Sequence, residues 1–286
     1  MITQEQFDQE VKAIIENAIR EDVGDGDHSS LACIPENARG KAKLLVKDKG
    51  VIAGVNFAKK IFAYVDKNLR VDVKIQDGSE VTFGDVVMYV EGSSRSILMA
   101  ERTVLNAMQR MSAIATKTKM FVDLIKGTKA TILDTRKTTP GIRVLEKWAV
   151  KLGGGENHRF ALYDMIMLKD NHIDFAGGIT NAVEMSKQYL RETEKDLKIM
   201  VEARDLTEVK EILALDGVYR ILLDNFDYED TRKAVKLIGD KCLTESSGNI
   251  NESTIRFYAD CGVNFISCGA LTHSVSNMDL SLKAVK

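Results

Sequence analysis

The sequence predicts an α/β protein: a parallel β/α barrel preceded by an α+β layer domain. Three observations predict the barrel. From residue 130 onward, near-continuous apolar runs alternate with amphipathic helical patterns, as parallel strands covered by helices do. The rhythm is regular, with Glu202, Asp224, Glu245 and Ser267 standing 22, 21 and 22 residues apart, about one βα unit each. Each run also ends in a polar or glycine-rich cluster, and the C-terminal strand ends of a barrel converge on one rim where ligands bind. A doubly wound sheet gathers its ligand at strand ends too. Polar clusters at six consecutive strand ends converge more readily on a closed rim than along an open edge.

In chain order, residues 4–20 set Phe7, Val11, Ile14, Ile15 and Ala18 on one helical face. GDGDHSS (24–30) reads as a polar connection. GKAKLLVKDKGVIAG (40–54) reads as two paired strands around a turn near residues 48–50, and NFAKKIFAYVDK (56–67) as a helix. VDVKI (71–75) and VTFGDVVMYVEG (81–92) add strands. Residues 96–126 form a long helix whose stripe of Ile97, Val104, Leu105, Met108 and Met111 is core; Arg102 lies off the stripe and reads as a surface charge. Six strands follow: ATILDT, DMIMLKD, KIMVEAR, GVYRILLDN, KCLTESS and GVNFISCGA. LTEVKEILALD, YEDTRKAVKLIG and NESTIRFYADCG are helices between the later ones.

Composition narrows the function. With 44% hydrophobic and 29% charged residues and a net charge of −2, the chain is an ordinary globular protein without the basic footprint of a nucleic-acid binder. No apolar run approaches the ~20 residues that span a bilayer. The N-terminus lacks the basic-then-apolar form of a signal peptide. Cys33, Cys242, Cys261 and Cys268 match no metal motif, and a reducing compartment, the cytoplasm, is expected.

Residues 130–172 stand out. They hold seven basic side chains (Arg136, Lys137, Arg143, Lys147, Lys151, Arg159 and Lys169) and are net positive in a net negative chain. Such a field concentrates anions. Arg143, Lys147 and Lys151, spaced four apart, read as a solvated helix face. Arg136, His158, Arg159 and Lys169, near strand ends, read as a pocket for a dicarboxylate or polyphosphate, because arginine forks grip carboxylates bidentately and lysine adds a point charge. Glu202 and Asp224 end adjacent strands and suit Mg²⁺, sugar hydroxyls, or neutralisation of the basic cluster. Ser247, Gly248 and Asn249, with Cys268, Gly269 and Ala270 at the last strand, read as a phosphate cradle. Gly153, Gly154 and Gly155 either end a helix or let the backbone approach a ligand before His158.

LDTRKTTPGIR, GGGENHR, LKDNHI, AERTVLNAMQRMSAIAT, TESSGNI and SCGALTHS, in this order apart from the fourth, which precedes the rest, closely resemble blocks of the quinolinate phosphoribosyltransferase family over nearly the whole chain. The resemblance implies an N-terminal open α/β sandwich over residues 1–115, with the tail 274–286 packing back on it, and a truncated barrel of about six strands over 116–273. It implies phosphoribosyl transfer from phosphoribosyl pyrophosphate to quinolinate with loss of CO₂, a Mg²⁺ cofactor with Glu202 and Asp224 near the ribose and metal, and a homodimer or higher oligomer. Thr135, Arg136, His158, Arg159 and Lys169 would line the dicarboxylate pocket, joined by Arg102 from the partner subunit. Lys137 would assist the pyrophosphate. Ser247, Gly248, Asn249, Cys268, Gly269 and Ala270 would hold the 5′-phosphate, with His273 close by. GDGDHSS departs from the family's form at a place with no implied role.

The competing readings are a Schiff-base aldolase using Lys169, a relative with another aromatic acceptor, and a ligand-binding barrel without catalysis. The third leaves the Glu202–Asp224 pair beside a phosphate cradle without a purpose.

Overall fold

The computed structural model describes residues 2–285. Its contacts divide into two compact units, one formed by 2–119, 138–154 and the chain from 271 onward, the other by 120–137 and 155–270.

The first unit opens with α1 (Gln4–Val23), where the Thr3 hydroxyl accepts from the Gln6 N–H and the Gln6 side chain accepts from the Thr3 N–H. Its inner face buries Val11 and Ile15. GDGDHSS is a connection only in its first half. Asp27 accepts from the Ser30 N–H and caps a short helix, α2 (His28–Cys33), as an aspartate ahead of orphan amides does. Next come β1 (Arg39–Val46), β2 (Gly50–Val51), α3 (Val55–Val65), β3 (Arg70–Val73), β4 (Glu80–Val81), β5 (Val86–Ser93) and the long α4 (Ser94–Leu124).

The expected pairing of the two strands in 40–54 does not occur. β1 pairs antiparallel with β5, β5 with β3, and β2 with β4. Length decides this: β1 buries Ala42, Leu44 and Val46 in alternation, and an eight-residue strand finds a full ladder only in β5, not in the two residues of β2. α4 buries the predicted stripe, Met108 and Met111 included, and leaves Arg102 exposed.

The second unit contains all six predicted strands: β6 (Thr131–Leu133), β7 (Ile166–Leu168), β8 (Ile199–Ala203), β9 (Val218–Asp224), β10 (Leu243–Ser247) and β11 (Phe265–Ser267). The helices in this span are α5 (Arg143–Leu152), α6 (Asp170–Ala176), α7 (Ile179–Glu192), α8 (Leu206–Leu213), α9 (Tyr228–Ile238), α10 (Ile255–Asp260) and α11 (Ala270–His273). The strands pair in parallel in the order β6-β11-β10-β9-β8-β7. Neighbours in sequence are neighbours in space from β7 to β11, and β6 lies beside β11. This is barrel order opened between β6 and β7, without the reversal of a doubly wound sheet. At that seam Glu156 bridges in parallel to Leu133.

The segment between β6 and the seam groups with the first unit, so the contacts divide the chain differently from the 115/116 boundary. There Trp148 of α5 meets Phe7 edge-on at 5.2 Å. Gly153 ends α5 against α4, where a Cβ would stand 2.4 Å from the Ala115 carbonyl oxygen, so this glycine serves helix packing. The solvated face expected of α5 is not one: Lys151 is exposed and Arg143 half-buried, but Lys147 is buried. The face turns inward because Val144, Leu145, Ala149 and Val150 leave little outer surface on this short helix.

Strand alternation sorts the parallel sheet into two faces. Ile199, Val201, Ala203, Ile221 and Leu223 pack with Val183, Val209, Ile212, Ala234 and Ile238 of the helices in one apolar core. The opposite face, toward the barrel axis, carries Met200, Glu202, Arg220, Leu222, Asp224, Glu245 and Ser247 by the same alternation. After α11 the chain ends in β12 (Leu280–Ala284), which pairs antiparallel with β1 and completes the first unit's sheet, β12-β1-β5-β3.

Candidate active site

The site grows from the end of β6. Asp134 is fully buried and accepts from the Asn157 side chain at 2.7 Å and the His158 N–H at 2.9 Å. This ties the Thr135-Arg136-Lys137 turn, in which the Lys137 N–H donates to Thr135 Oγ1 at 3.0 Å, to the 157–159 segment. Arg159 is buried and donates from Nη1 to the Met165 carbonyl at 3.1 Å. Burial pushes its guanidinium below the ordinary arginine range, and the positive Arg136 beside it pushes the same way, against the opposing pull of Asp164. A second positive charge near a buried guanidinium favours an anion beside it.

His158 does not face outward with them. Its Nδ1 accepts from the Arg159 N–H at 2.7 Å, which assigns the proton of a neutral ring to Nε2. Nε2 lies 3.4 Å from Glu245 Oε2 in the barrel interior. Glu245 is fully buried and also receives Arg220 Nη1 at 2.6 Å. The Arg220 guanidinium stacks on the Phe265 ring at 4.0 Å. Burial alone would push the Glu245 carboxyl up, but His158 and Arg220 outweigh it and hold the carboxyl below its ordinary range. Arg220 and Glu245 were not singled out from the sequence as site residues. The available signal is a charged residue inside an apolar strand, Arg220 in GVYRILLDN.

Glu202, one strand from β7, meets the Lys169 ammonium at 3.3 Å. Burial pushes the Glu202 carboxyl up, Lys169 pulls it down, and the negative Asp224 pushes it up again; the balance lies above the ordinary glutamate range. Asp224 accepts from Ser247 Oγ at 2.9 Å and from Asn225 Nδ2 at 2.8 Å. Ser247, Gly248 and Asn249 continue from the end of β10, and Gly248 adopts φ +99°, a conformation open to glycine. At the neighbouring strand end the Cys268 N–H donates to the Leu133 carbonyl at 2.9 Å, and Gly269 and Ala270 follow it.

The structure thus brings Thr135, Arg136, Lys137, His158, Arg159, Lys169, Glu202, Asp224, Ser247, Gly248, Asn249, Cys268, Gly269 and Ala270 into one unit, at or beside the C-terminal strand ends. Arg102 and His273 belong to the other unit. Both are exposed, and His273 Nδ1 lies 2.6 Å from Ser274 Oγ.

A parallel sheet in barrel order, carrying paired arginines, a lysine and two interior carboxylates at its strand ends, defines an enzyme class that handles small anionic substrates. Within that class the chain belongs to the quinolinate phosphoribosyltransferase family: the family's N-terminal domain profile matches residues 27–112 and its C-terminal domain profile residues 114–283. It is 45% identical over 289 aligned residues to the chloroplastic carboxylating nicotinate-nucleotide pyrophosphorylase of Oryza sativa subsp. japonica, covering 96% of this chain and 77% of that one. The probable carboxylating nicotinate-nucleotide pyrophosphorylase of Bacillus subtilis is 37% identical, with 96% and 93% covered. The solved nicotinate-nucleotide pyrophosphorylase of Francisella tularensis superposes with a TM-score of 0.90 at 36% identity, over 97% of this chain and 96% of that one. No helix among the described residues is long and apolar enough to cross a membrane.

Proposed function

We propose that this chain transfers a phosphoribosyl group from phosphoribosyl pyrophosphate to quinolinate with decarboxylation, yielding nicotinate mononucleotide, pyrophosphate and CO₂ in de novo NAD biosynthesis. The carrying observation is the gathering of Arg136, the buried Arg159, Lys169, Glu202 and Asp224 in one unit of a chain whose two domains both match the family.

Thr135, Arg136, Arg159 and Lys169 hold the two carboxylates. His158 acts through its Nδ1 by steadying the Arg159 backbone. Held in this way, the pyridine nitrogen is aligned on the ribose anomeric carbon, and fixed alignment of two reactants removes much of the entropic barrier. The nitrogen's lone pair forms the new C–N bond as the C–O bond to pyrophosphate breaks and its electron pair leaves with pyrophosphate. Lys137 stabilises the departing charge. The alkylated ring is cationic, so it accepts the electron pair released when the adjacent carboxylate departs as CO₂. A proton then replaces it on the ring carbon.

Glu202 and Asp224 would be the residues to hold a magnesium ion. Among the described residues no group of three or more His, Cys, Asp and Glu side chains forms a metal cage, and magnesium commonly takes one or two carboxylates plus phosphate oxygens and water. Burial and the neighbouring Asp224 raise the cost of ionising Glu202, which a cation or ribose hydroxyls beside it would offset. Bound there, magnesium supplies positive charge against the leaving pyrophosphate. Ser247, Gly248, Asn249, Gly269 and Ala270 receive the 5′-phosphate, with Cys268 bracing their strand end. For Arg102, His273 and the homodimer that carries Arg102 into the partner subunit's site, the support is the sequence match alone. The four cysteines match no export or metal pattern and suit a reducing compartment such as the cytoplasm.

The aldolase reading loses ground because Lys169 pairs with the Glu202 carboxylate at 3.3 Å and, half-exposed, stays open to a substrate carboxylate as a point charge. Incubation of the folded protein with quinolinate, phosphoribosyl pyrophosphate and Mg²⁺ is expected to release CO₂, and absence of release overturns the assignment. Mixed Arg102→Ala and Lys169→Ala subunits, each nearly inactive alone, are expected to regain activity through hybrid dimers. Failure under confirmed subunit exchange removes Arg102 from the partner's site.

A further inference from the structure

Between the proposed ribose-side carboxylate and the proposed phosphate cradle stands a residue with no assigned role. Asn225 adopts φ +54°, a left-handed conformation that costs most residues energy and that asparagine tolerates better than most. The chain on both sides enforces it. Asp224 closes β9, Phe226 is buried with its carbonyl accepting from the Tyr258 hydroxyl at 3.0 Å, and Asp227 caps α9 by accepting from the Asp230 N–H at 2.8 Å. A left-handed non-glycine residue held so firmly between anchored neighbours marks a place where conformation serves a purpose.

The contacts of Asn225 show which one. Its N–H donates to the Ser247 carbonyl at 3.0 Å. Its carboxamide Nδ2 donates to Asp224 Oδ2 at 2.8 Å, while its Oδ1 accepts from Asn249 Nδ2 at 3.3 Å. Ser247 Oγ, in turn, donates to Asp224 Oδ1 at 2.9 Å. These bonds form a closed ring running Asp224, Asn225, Ser247 and back to Asp224, joining the ends of β9 and β10, with Asn249 tied to the ring through Asn225 Oδ1. Gly248 sits against the ring so tightly that a Cβ there would lie 2.1 Å from Asn225 Oδ1 and 2.5 Å from its Cγ. Asn249 is itself left-handed at φ +49°.

We propose that Asn225 is a positioning residue that locks the Asp224 carboxylate and the Ser247–Gly248–Asn249 turn into one preorganised unit, so that the ribose and the 5′-phosphate of one substrate molecule meet a cradle already in shape. The inference rests on the reading of Asp224 and residues 247–249 as the phosphoribosyl pyrophosphate side of the site. Asn225 itself touches no substrate in this arrangement. Its carboxamide satisfies one carboxylate oxygen of Asp224 and orients that group, and its Oδ1 holds the Asn249 side chain on the cradle. Preorganisation of this kind lowers the ordering cost paid on binding. Its effect therefore falls on one substrate, because the Arg136 and Arg159 clamp shares none of these bonds.

The test is Asn225→Gly, which adopts the left-handed backbone freely and deletes only the carboxamide. Asn225→Asp is a second variant, equally tolerant of the conformation but without the Nδ2 donor. Calorimetry with phosphoribosyl pyrophosphate and, separately, with quinolinate gives two dissociation constants, and steady-state assays give the two KM values. Either variant is expected to weaken phosphoribosyl pyrophosphate about tenfold, in binding and in KM, the size of one or two lost hydrogen bonds. Quinolinate is expected to change less than about twofold. Combining Asn225→Gly with Asn249→Ala is expected to cost clearly less than the two single effects added, since both remove the same bond. Equal weakening of both substrates, or no weakening of either, overturns the proposal. Asp224→Asn and Ser247→Ala separate the two levels. If these weaken phosphoribosyl pyrophosphate and the Asn225 variants do not, only the positioning role falls; if none of the four does, the underlying site reading falls with it.

Discussion

Glu202 and Glu245 occupy the same row of the barrel interior, each in register with Leu222, one from β8 and the other from β10. Both are buried. Yet the Glu245 carboxyl is held below its ordinary range by His158 and Arg220, while that of Glu202 is pushed above it by burial and by Asp224 in spite of Lys169. The same side chain in the same row is therefore two different groups. Glu245 is matched by a buried arginine whose guanidinium stacks on Phe265, and its charge serves the fold. Glu202 has a half-exposed lysine and a second carboxylate for company, so its charge is only partly balanced within the protein. Environments that push like groups apart mark where structure ends and chemistry begins.

The largest expected effect comes from breaking the matched side. Glu245→Ala leaves Arg220 buried without its partner, and removal of one member of a buried pair typically costs about 3–5 kcal/mol. Chemical denaturation at neutral pH measures it, and a loss below about 1 kcal/mol would make Glu245 dispensable to the fold. Glu202→Gln is the converse. It is expected to change stability by less than about 1 kcal/mol, because the charge it removes is poorly compensated, while kcat falls about a hundredfold, the size of one missing electrostatic group in a transition state. A stability loss like that of Glu245→Ala would erase the contrast.

The smallest effect, and the sharpest, is in pH. Glu245 has a depressed folded value, so its stabilisation is present above the unfolded glutamate range and lost as pH falls through the folded value. Glu202 has a raised folded value, so its contribution is full below the unfolded range and lost as pH rises through the folded value. The stability gap between the native protein and Glu245→Gln is thus expected to close on acidification. Measured against Glu202→Gln, the native protein is expected to lose ground as pH rises above the ordinary glutamate range. Gaps that move in the same direction would show that the two glutamates are equivalent.

Much of this was legible in the chain itself. The six strands of the barrel, their spacing and the polar residues at their ends follow from short-range patterns: apolar runs of strand length, amphipathic helices between them, and glycine-rich ends. The basic residues of 130–172 could be picked out for the same reason, since charge is a local property of sequence. The two residues near 48–50 that resembled a hairpin turn could not reveal that β1 takes β5 and β12 as partners, because pairing is a contest among distant strands settled by length and burial. Lys147 looked solvated on a helical wheel, and only the packing of α5 turned it inward.

What the sequence by itself determined is the parade of elements and the chemical vocabulary of the site: arginines, lysines and carboxylates at strand ends, and a family pattern that named the reaction. What only the tertiary structure decided is which of those groups face one another. Strand register set Glu202 against Lys169 and Asp224, brought His158 beside Glu245, and closed the ring through Asn225. The physical reason is that electrostatic character depends on neighbours a few ångströms away, and those neighbours come from strands 20 or more residues apart in the chain.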